Sequence, residues 1–151
     1  MMKKTIWFDM DGTLADTYAV ENWLAKLRKS DPSPYAEAKV MHNMSLLARY
    51  LNKLQSIGYH IGVITWLAMD STTEYDEAVT SVKMEWLNEH LQSVRFDSIN
   101  VVQYGTPKTN FMETNNDILF DDNNGIREAW TGEAYEPDEI LSVLKKLLRE
   151  E

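Results

Sequence analysis

The sequence contains no cysteine among its 151 residues. A disulfide framework, a thiolate zinc site and a cysteine nucleophile are therefore excluded together. Any metal must be bound by oxygen or imidazole ligands, and any covalent catalysis must use another side chain. The lack of cysteine also suits a reducing compartment, and we expect a cytoplasmic protein.

Long apolar runs are also missing. The apolar stretch after Lys3 and Lys4 ends at Asp9, and the longest later run, near residues 61–69, is too short to cross a bilayer. We therefore expect neither secretion nor insertion into a membrane.

Positive charge is scarce, with 15 Lys and Arg residues against 24 Asp and Glu residues and a formal net charge of −9. A nucleic-acid polymer would be repelled unless basic residues gathered on one face, and the sequence shows no such cluster. We therefore expect no nucleic-acid polymer as a partner and interpret the acidity as an aid to solubility.

The length and composition fit one globular domain over residues 1–151. Hydrophobic residues make up 44% of the chain and charged residues 26%, which are ordinary values for a protein with a packed core. A chain of this length is too short for two ordinary domains. We found no internal repeat, low-complexity tract or linker.

Strand and helix signals alternate along the chain. Short β-branched or aromatic segments predict strands over residues 5–8, 59–65, 99–103 and 118–120. Helical periodicity and breakers predict helices over 18–29, from Pro34 to the stop at Gly58, over 73–91, and from Pro137 onward. This order is typical of a doubly wound α/β fold, in which helices cover both faces of a parallel sheet.

Polar side chains follow the predicted strands at their carboxyl ends, where ligands bind in this class of fold. Asp9 and Asp11 follow the first strand around an Asp-Gly turn, and Asp121 and Asp122 follow the fourth. Hard oxygen ligands without cysteine select magnesium over zinc. The sequence therefore predicts a magnesium site formed by carboxylates from two strand ends.

Two further polar residues fit a phosphate ligand. Thr65 ends the second strand, and its hydroxyl can donate to a phosphoryl oxygen. Lys108 follows the turn after the third strand and can balance phosphate charge as a point cation. Taken singly, each also fits an ordinary β-former or a solvated lysine, and only their order and setting favour the functional interpretation.

These elements together resemble the haloacid dehalogenase-like hydrolase superfamily over nearly the whole chain. The matching motifs are Asp-Met-Asp-Gly-Thr at residues 9–13, Thr65 after Val-Ile, Lys108, and Leu-Phe-Asp-Asp at residues 119–122. The resemblance implies a phosphatase with Asp9 as nucleophile, Asp11 as general acid and base, and Thr65 and Lys108 as phosphoryl anchors. It also implies Mg²⁺ on the carboxylates of Asp9 and Asp121 and the backbone carbonyl of Asp11, with Asp122 bound directly or through water.

The sequence departs from many members of this superfamily in having little room for a cap. The insert of about residues 15–34 can hold roughly one helix, so we expect an open site that a second subunit could complete. This small insert and residues 9–16 resemble the 5′(3′)-deoxyribonucleotidase branch. Tyr18, Trp23 and Trp66 could stack on a base or serve only as packing residues. The leading substrate is therefore a small phosphomonoester, with a nucleoside monophosphate as the first hypothesis.

Two other functions fit the same residues. A signalling receiver domain also forms an aspartyl phosphate near strand-end carboxylates, Thr and Lys, but its acidic pair comes first and its lysine last. In this sequence Lys108 precedes the second acidic pair. A binding protein that keeps the fold without turnover is the third alternative, although every expected catalytic side chain is present.

Overall fold

A computed structural model describes residues 3–150 and contains a five-stranded sheet. The strand order is β3-β2-β1-β4-β5, and every neighbouring pair is parallel. The strands are β1 (Thr5–Phe8), β2 (His60–Trp66), β3 (Ser98–Val102), β4 (Ile118–Phe120) and β5 (Glu133–Tyr135). The first four agree with the sequence prediction to within one residue. The prediction missed β5, which is only three residues long and carries a weak strand signal.

Six α-helices connect or flank the strands in the described part of the chain. They are α1 (Trp23–Arg28), α2 (Ser33–Glu37), α3 (Met44–Ser56), α4 (Thr73–His90), α5 (Asn124–Ala129) and α6 (Ile140–Arg149). Short 3₁₀ turns lie at Thr17–Ala19, Lys108–Phe111 and Pro137–Glu139. None of the helices within residues 3–150 has both the length and the apolar composition that a membrane span requires.

The helix predicted from Pro34 to Gly58 is interrupted at residues 38–43. The chain forms α2, then runs without helix from 38 to 43 before α3 begins, with Asn43 capping α3 by accepting from the Leu46 N–H at 3.1 Å. Residues 39–41 instead pair with the loop after β1, through the bonds Asp16 N–H to Lys39 O at 2.8 Å and Met41 N–H to Leu14 O at 3.1 Å. This tertiary pairing overrides the helical period.

The helix predicted over residues 18–29 also begins later than expected. A 3₁₀ turn occupies Thr17–Ala19, and α1 starts only at Trp23. The side chains of Asp16 and Asn22, which precede these two elements, make no capping hydrogen bond. The start of α1 therefore lacks a side-chain cap, although the preceding Thr17 and Asp16 are residue types that favour one.

Alternate residues of the strands pack into separate cores on the two faces of the sheet. Ile6 and Phe8 belong to the larger core, which α3 and α6 cover with buried leucines such as Leu51 and Leu144. The other face holds a smaller core of Trp7, Ile64, Leu119 and Trp130, against which Ile126 of α5 packs. Helices therefore lie on both faces, and the doubly wound α/β fold is confirmed.

The connections of the sheet reverse direction between β1 and β4. The chain passes from β1 to β2 on one side and, after β3, returns to β4 on the other side of β1. The carboxyl ends of β1 and β4 are therefore neighbours, and the Asp9 N–H donates to Phe120 O at 3.0 Å. Such a switch point forms a crevice beyond the strand ends, which is where Asp9 and Asp121 lie.

Candidate active site

Asp9 is the residue that directly follows β1, and it is buried with 7% of its surface exposed. Its Oδ1 accepts a hydrogen bond from Lys108 Nζ at 3.0 Å, and its Oδ2 accepts from the Thr13 hydroxyl at 3.0 Å. Burial raises the pKa of Asp9 above its ordinary value, Lys108 opposes this rise, and the carboxylate of Asp121 adds to it. The side chain is therefore an oriented carboxylate in a poorly solvated position.

Lys108 joins the carboxylates from the two strand ends. Its Nζ donates to Asp9 Oδ1 at 3.0 Å and to Asp121 Oδ2 at 2.7 Å, and all three residues are buried. Burial alone would lower the pKa of Lys108, but the two carboxylates raise it above its ordinary value. The other Asp121 oxygen accepts from the Asn123 N–H at 2.9 Å. Lys108 is therefore a charged ammonium held in place by its partners.

Three carboxylates form a cluster at this point. One oxygen each from Asp9, Asp121 and Asp122 lies within 4.8 Å of the others. Desolvation and the neighbouring carboxylates of Asp9 and Asp121 raise the pKa of Asp122 to about 7. Mutual repulsion of this kind is relieved by a cation, and Mg²⁺ prefers such oxygen ligands. The residues therefore fit the metal that the sequence predicts.

The Asp11 side chain lies outside this cluster. Its Oδ1 accepts from the Thr17 hydroxyl at 2.7 Å, and its Oδ2 accepts from Lys83 Nζ at 3.0 Å. The carboxylate nevertheless lines the same cavity as Asp9. A metal contact through the Asp11 backbone carbonyl stays a prediction.

Thr65 is fully buried and is not among the described residues that line the cavity. Its hydroxyl oxygen accepts a hydrogen bond from Lys83 Nζ at 2.7 Å. A hydroxyl that accepts in this way still has its own hydrogen to donate. The structure thus places Thr65 behind Lys83 and Asp11, and its contact with a phosphoryl group stays a prediction.

Sequence reasoning missed Lys83, although a signal for it was present. In the helix predicted over residues 73–91, the helical period places Tyr75, Val79, Val82 and Trp86 on one stripe, but Val82 is only half-buried in the structure. Position 83 follows Val79 by four residues, so the stripe passes through it. A lysine on the apolar stripe of a helix indicates a buried cation with a specific partner.

The site opens into a cavity of about 430 Å³ that is rich in aromatic side chains. Trp66 and Tyr104 form one ring pair with centroids 5.0 Å apart, and Tyr18 and Trp23 form another at 4.9 Å. The Trp66 Nε1–H donates to the Thr106 carbonyl oxygen at 2.8 Å, which fixes the ring. Sequence reasoning selected three of these aromatics and missed Tyr104, which lies in a turn with no motif around it.

Comparison with known proteins finds similarity in structure alone. No family model matches the sequence, and no curated protein matches it significantly. The chain superposes on D,D-heptose 1,7-bisphosphate phosphatase from Burkholderia thailandensis with a TM-score of 0.61 and 15% identity, covering 97% of this chain and 99% of the other. It also superposes on D,D-heptose 1,7-bisphosphate phosphatase from B. bronchiseptica, solved with magnesium and phosphate, with a TM-score of 0.54 and 12% identity. That match covers 99% of this chain and 100% of the other.

The chain shares the α/β fold of these two phosphatases. Within this fold, Asp9, Lys108 and Asp121 contact one another beyond the strand ends, and Asp122 completes the acidic cluster. The side chain of Asp11 faces the same cavity but is bonded to Lys83 rather than to this group. The predicted residues thus divide into a carboxylate-lysine centre and an adjacent unit centred on Lys83.

Proposed function

We propose that this protein is a magnesium-dependent phosphatase that hydrolyses a small phosphomonoester through an aspartyl phosphate on Asp9. The observation that carries the proposal is the geometry of the Asp9 carboxylate. It is buried at a strand end, bonded to Lys108, and within 4.8 Å of oxygens from Asp121 and Asp122. A carboxylate nucleophile next to a cation and a metal site matches the requirements of phosphoryl transfer.

In the first step of the proposed reaction, an Asp9 oxygen attacks the phosphorus atom and the ester P–O bond breaks. Asp11 begins this step protonated and gives its proton to the leaving oxygen, so that the alcohol departs neutral and Asp11 becomes the carboxylate that acts next. In the second step, Asp11 removes a proton from water, which attacks the aspartyl phosphate, releases inorganic phosphate and restores Asp9. Asp11 lines the cavity beside Asp9 and can therefore serve both steps.

Charge on the phosphoryl group requires neutralisation during transfer. The Lys108 ammonium is held between Asp9 and Asp121, 2.7 to 3.0 Å from their oxygens, and so lies beside the reacting group. Asp9, Asp121, Asp122 and the Asp11 backbone carbonyl are the groups that would hold Mg²⁺. When bound, the metal neutralises charge on the phosphoryl oxygens.

The cavity supports a substrate with one phosphate and a flat apolar body. Of the described residues that line it, Lys108 is the only cationic one, so no second lysine or arginine is provided for a second phosphate. Two aromatic pairs supply faces on which a base can stack. We therefore propose a nucleoside monophosphate as substrate, in preference to a sugar bisphosphate such as the one in the names of the two structural neighbours.

Residues 15–34 act in this proposal as a small cap on a single domain. Tyr18, Trp23 and Leu27 from this segment line the cavity together with Trp66 from β2. The segment thus contributes to substrate selection, because the phosphoryl centre itself has few groups that distinguish one ester from another.

A panel of phosphate esters tests the proposed function. Purified protein with Mg²⁺ is assayed for phosphate release from 5′ and 3′ nucleotides, hexose phosphates and sugar bisphosphates. We expect higher kcat/KM for nucleoside monophosphates than for the sugar esters. Equal efficiency on both classes would reject the nucleotide preference, and the absence of hydrolysis of every ester would reject the phosphatase.

A further inference from the structure

Lys83 is a buried cation that the proposed mechanism does not yet use. It lies on α4, and only 1% of its surface is exposed. Its Nζ donates to Asp11 Oδ2 at 3.0 Å, to Thr65 Oγ1 at 2.7 Å and to the Trp66 carbonyl oxygen at 3.0 Å. A protonated lysine has three N–H donors, so these three acceptors account for all of them. The direction of each bond is therefore fixed.

Packing does not explain why a lysine occupies this position. The neighbouring buried positions of α4 are Val79, Trp86 and Leu87, and an apolar side chain would continue that face. Burying an ammonium group is costly unless it is paired and hydrogen-bonded, and an apolar residue of similar volume often gives equal or greater stability. A lysine here therefore indicates a requirement for its three bonds.

The first of these bonds orients Asp11. The two Asp11 oxygens are held from different directions, Oδ1 by the Thr17 hydroxyl at 2.7 Å and Oδ2 by Lys83 at 3.0 Å. Thr17 lies in a 3₁₀ turn after β1, whereas Lys83 lies on a long helix of the main fold. Lys83 therefore ties the carboxylate to a rigid element.

The second bond orients Thr65. Because the Thr65 oxygen accepts from Lys83, the hydroxyl hydrogen must point away from the ammonium group and is left to donate elsewhere. The third bond, to the Trp66 carbonyl, holds Lys83 against the end of β2. One ammonium group therefore fixes both Asp11 and Thr65 relative to the strand end.

We propose that Lys83 is a positioning residue that aligns the Asp11 carboxylate and the Thr65 hydroxyl on the same phosphoryl group. The inference rests on the proposed function, in which Asp11 protonates the leaving oxygen. It has a specific consequence, because an alkoxide leaving group needs that proton and a nitrophenolate does not. Loss of Lys83 should therefore slow the hydrolysis of alkyl esters more than the hydrolysis of activated aryl esters.

The test compares kcat/KM for a nucleoside monophosphate, an alkyl ester, with kcat/KM for p-nitrophenyl phosphate. This parameter reports the steps up to departure of the leaving group, so the later use of Asp11 as a base does not enter. Lys83→Met keeps the length of the side chain but removes its charge and its donors. For this variant we expect kcat/KM for the alkyl ester to fall by about 10²-fold more than kcat/KM for the aryl ester. A factor of about 10² is the lower end of the usual contribution of a general acid.

Two further variants separate positioning from other effects. In an Asp11→Asn background, Lys83→Met should cause no additional loss that is specific to the alkyl ester, because both changes remove the same function. Thr65→Val removes the hydroxyl but keeps the Lys83–Asp11 pair. It should therefore lower kcat/KM for the alkyl ester and for the aryl ester by a similar factor.

Equal losses on the two substrates in Lys83→Met would overturn the proposal, because a structural role reduces the amount of active protein and leaves the ratio unchanged. If that variant does not fold, the same ratio is measured for Lys83→Gln, whose neutral side chain has two N–H donors and so cannot make all three bonds of Lys83. A wild-type protein inactive on both esters would reject the proposed function instead, so the two failures are distinguishable.

Discussion

Asp9 is the residue on which the proposed chemistry depends most. Asp9→Asn should reduce turnover to background, because an amide is a poor nucleophile and a weaker metal ligand. The fold should survive, since the substitution is isosteric and the Asn oxygen can still accept from Lys108 or Thr13. Phosphate release and circular dichroism measure the two outcomes, and Asp138→Asn at an exposed position is the matched control. An active Asp9→Asn variant would assign the nucleophile to another residue.

Gly12 is required for two reasons that can be separated experimentally. Its φ is +79°, and a Cβ there would lie 2.2 Å from Asp122 Oδ2 and 2.9 Å from the Tyr18 ring. Gly105 has a similar φ of +86° with nothing within 4 Å of its Cβ position. Gly12→Ala and Gly105→Ala should both lose about 1 kcal/mol of stability from the backbone alone.

Only Gly12→Ala should also weaken metal-dependent activity, because Asp122 must move to make room for the methyl group. Urea unfolding and activity at several Mg²⁺ concentrations measure both effects. The same Mg²⁺ dependence in Gly12→Ala as in Gly105→Ala would show that the position of Asp122 is not important for metal binding.

The site residues that the sequence could locate are those that directly follow a predicted strand. Asp9 and Asp121 directly follow adjacent parallel strands, so their proximity follows from the order of elements, whereas the two hydrogen bonds from Lys108 are seen only in the structure. Lys83 and Tyr104 could not be placed in the same way. Their roles depend on how α4 and a turn pack against the strand ends, which the order of elements does not specify.

Asp117, the residue just before β4, joins β1 to β4 at the end of the sheet opposite the candidate active site. Its carboxylate accepts from the Thr5 N–H and Trp7 Nε1–H of β1, each at 3.0 Å, and from the Thr114 hydroxyl and Glu113 N–H at 2.6 and 2.7 Å. Burial alone would raise its pKa, but these hydrogen bonds lower it below its ordinary value of 3.8. Asp117 therefore stabilises the pairing of β1 with β4.

Asp117→Asn should lower the free energy of unfolding by about 2 kcal/mol at neutral pH, because the amide NH₂ group cannot accept from the donors of Trp7 or Glu113. The folded form of Asp117 has the lower pKa, so its contribution is complete above pH 3.8 and is lost as the pH falls through the folded value. Urea unfolding from pH 3 to pH 7, with Asp138→Asn as control, measures this. A difference that stays constant down to pH 3 would contradict it.

Among the elements, the helices were harder to predict than the strands. The apolar residues from Val40 to Leu54 have a helical period, yet residues 39–41 pair with residues 14–16 and interrupt the helix. Local periodicity contains no information about such a partner, although Asn43 before Met44 is a recognisable cap. Strand β5 exists through its pairing with β4, and a three-residue segment has too little pattern to reveal this.

The molecule as a whole has a net charge of −9, and its acidic cluster should make its stability depend on Mg²⁺. A ligand that binds only the folded state at 100 times its Kd adds about 2.7 kcal/mol to the free energy of unfolding. We expect Mg²⁺ to raise the Tm of the wild type and to raise it much less in Asp121→Asn. Thermal unfolding with and without chelator measures the effect.

The same thermal unfolding measurement identifies the carboxylate that binds the metal directly. Asp121 is fully buried between Lys108 and the Asn123 N–H, whereas Asp122 is exposed. If Asp121 is the direct ligand and Asp122 binds through water, Asp122→Asn should lose only part of the rise in Tm, whereas Asp121→Asn should lose most of it. A full response in Asp121→Asn together with its loss in Asp122→Asn would move the assignment to Asp122.

The most direct measurement of the central claim is a rapid-quench experiment with Mg²⁺ and an activated phosphate ester. Acid quench and peptide mass analysis follow the phosphoryl group on Asp9, and released phosphate is measured in the same samples. We predict an Asp9 adduct that forms and clears within each turnover as phosphate appears. An adduct that persists for minutes without phosphate release would contradict the phosphatase and favour a receiver-type phosphoacceptor, and turnover without any adduct would contradict Asp9 as the nucleophile.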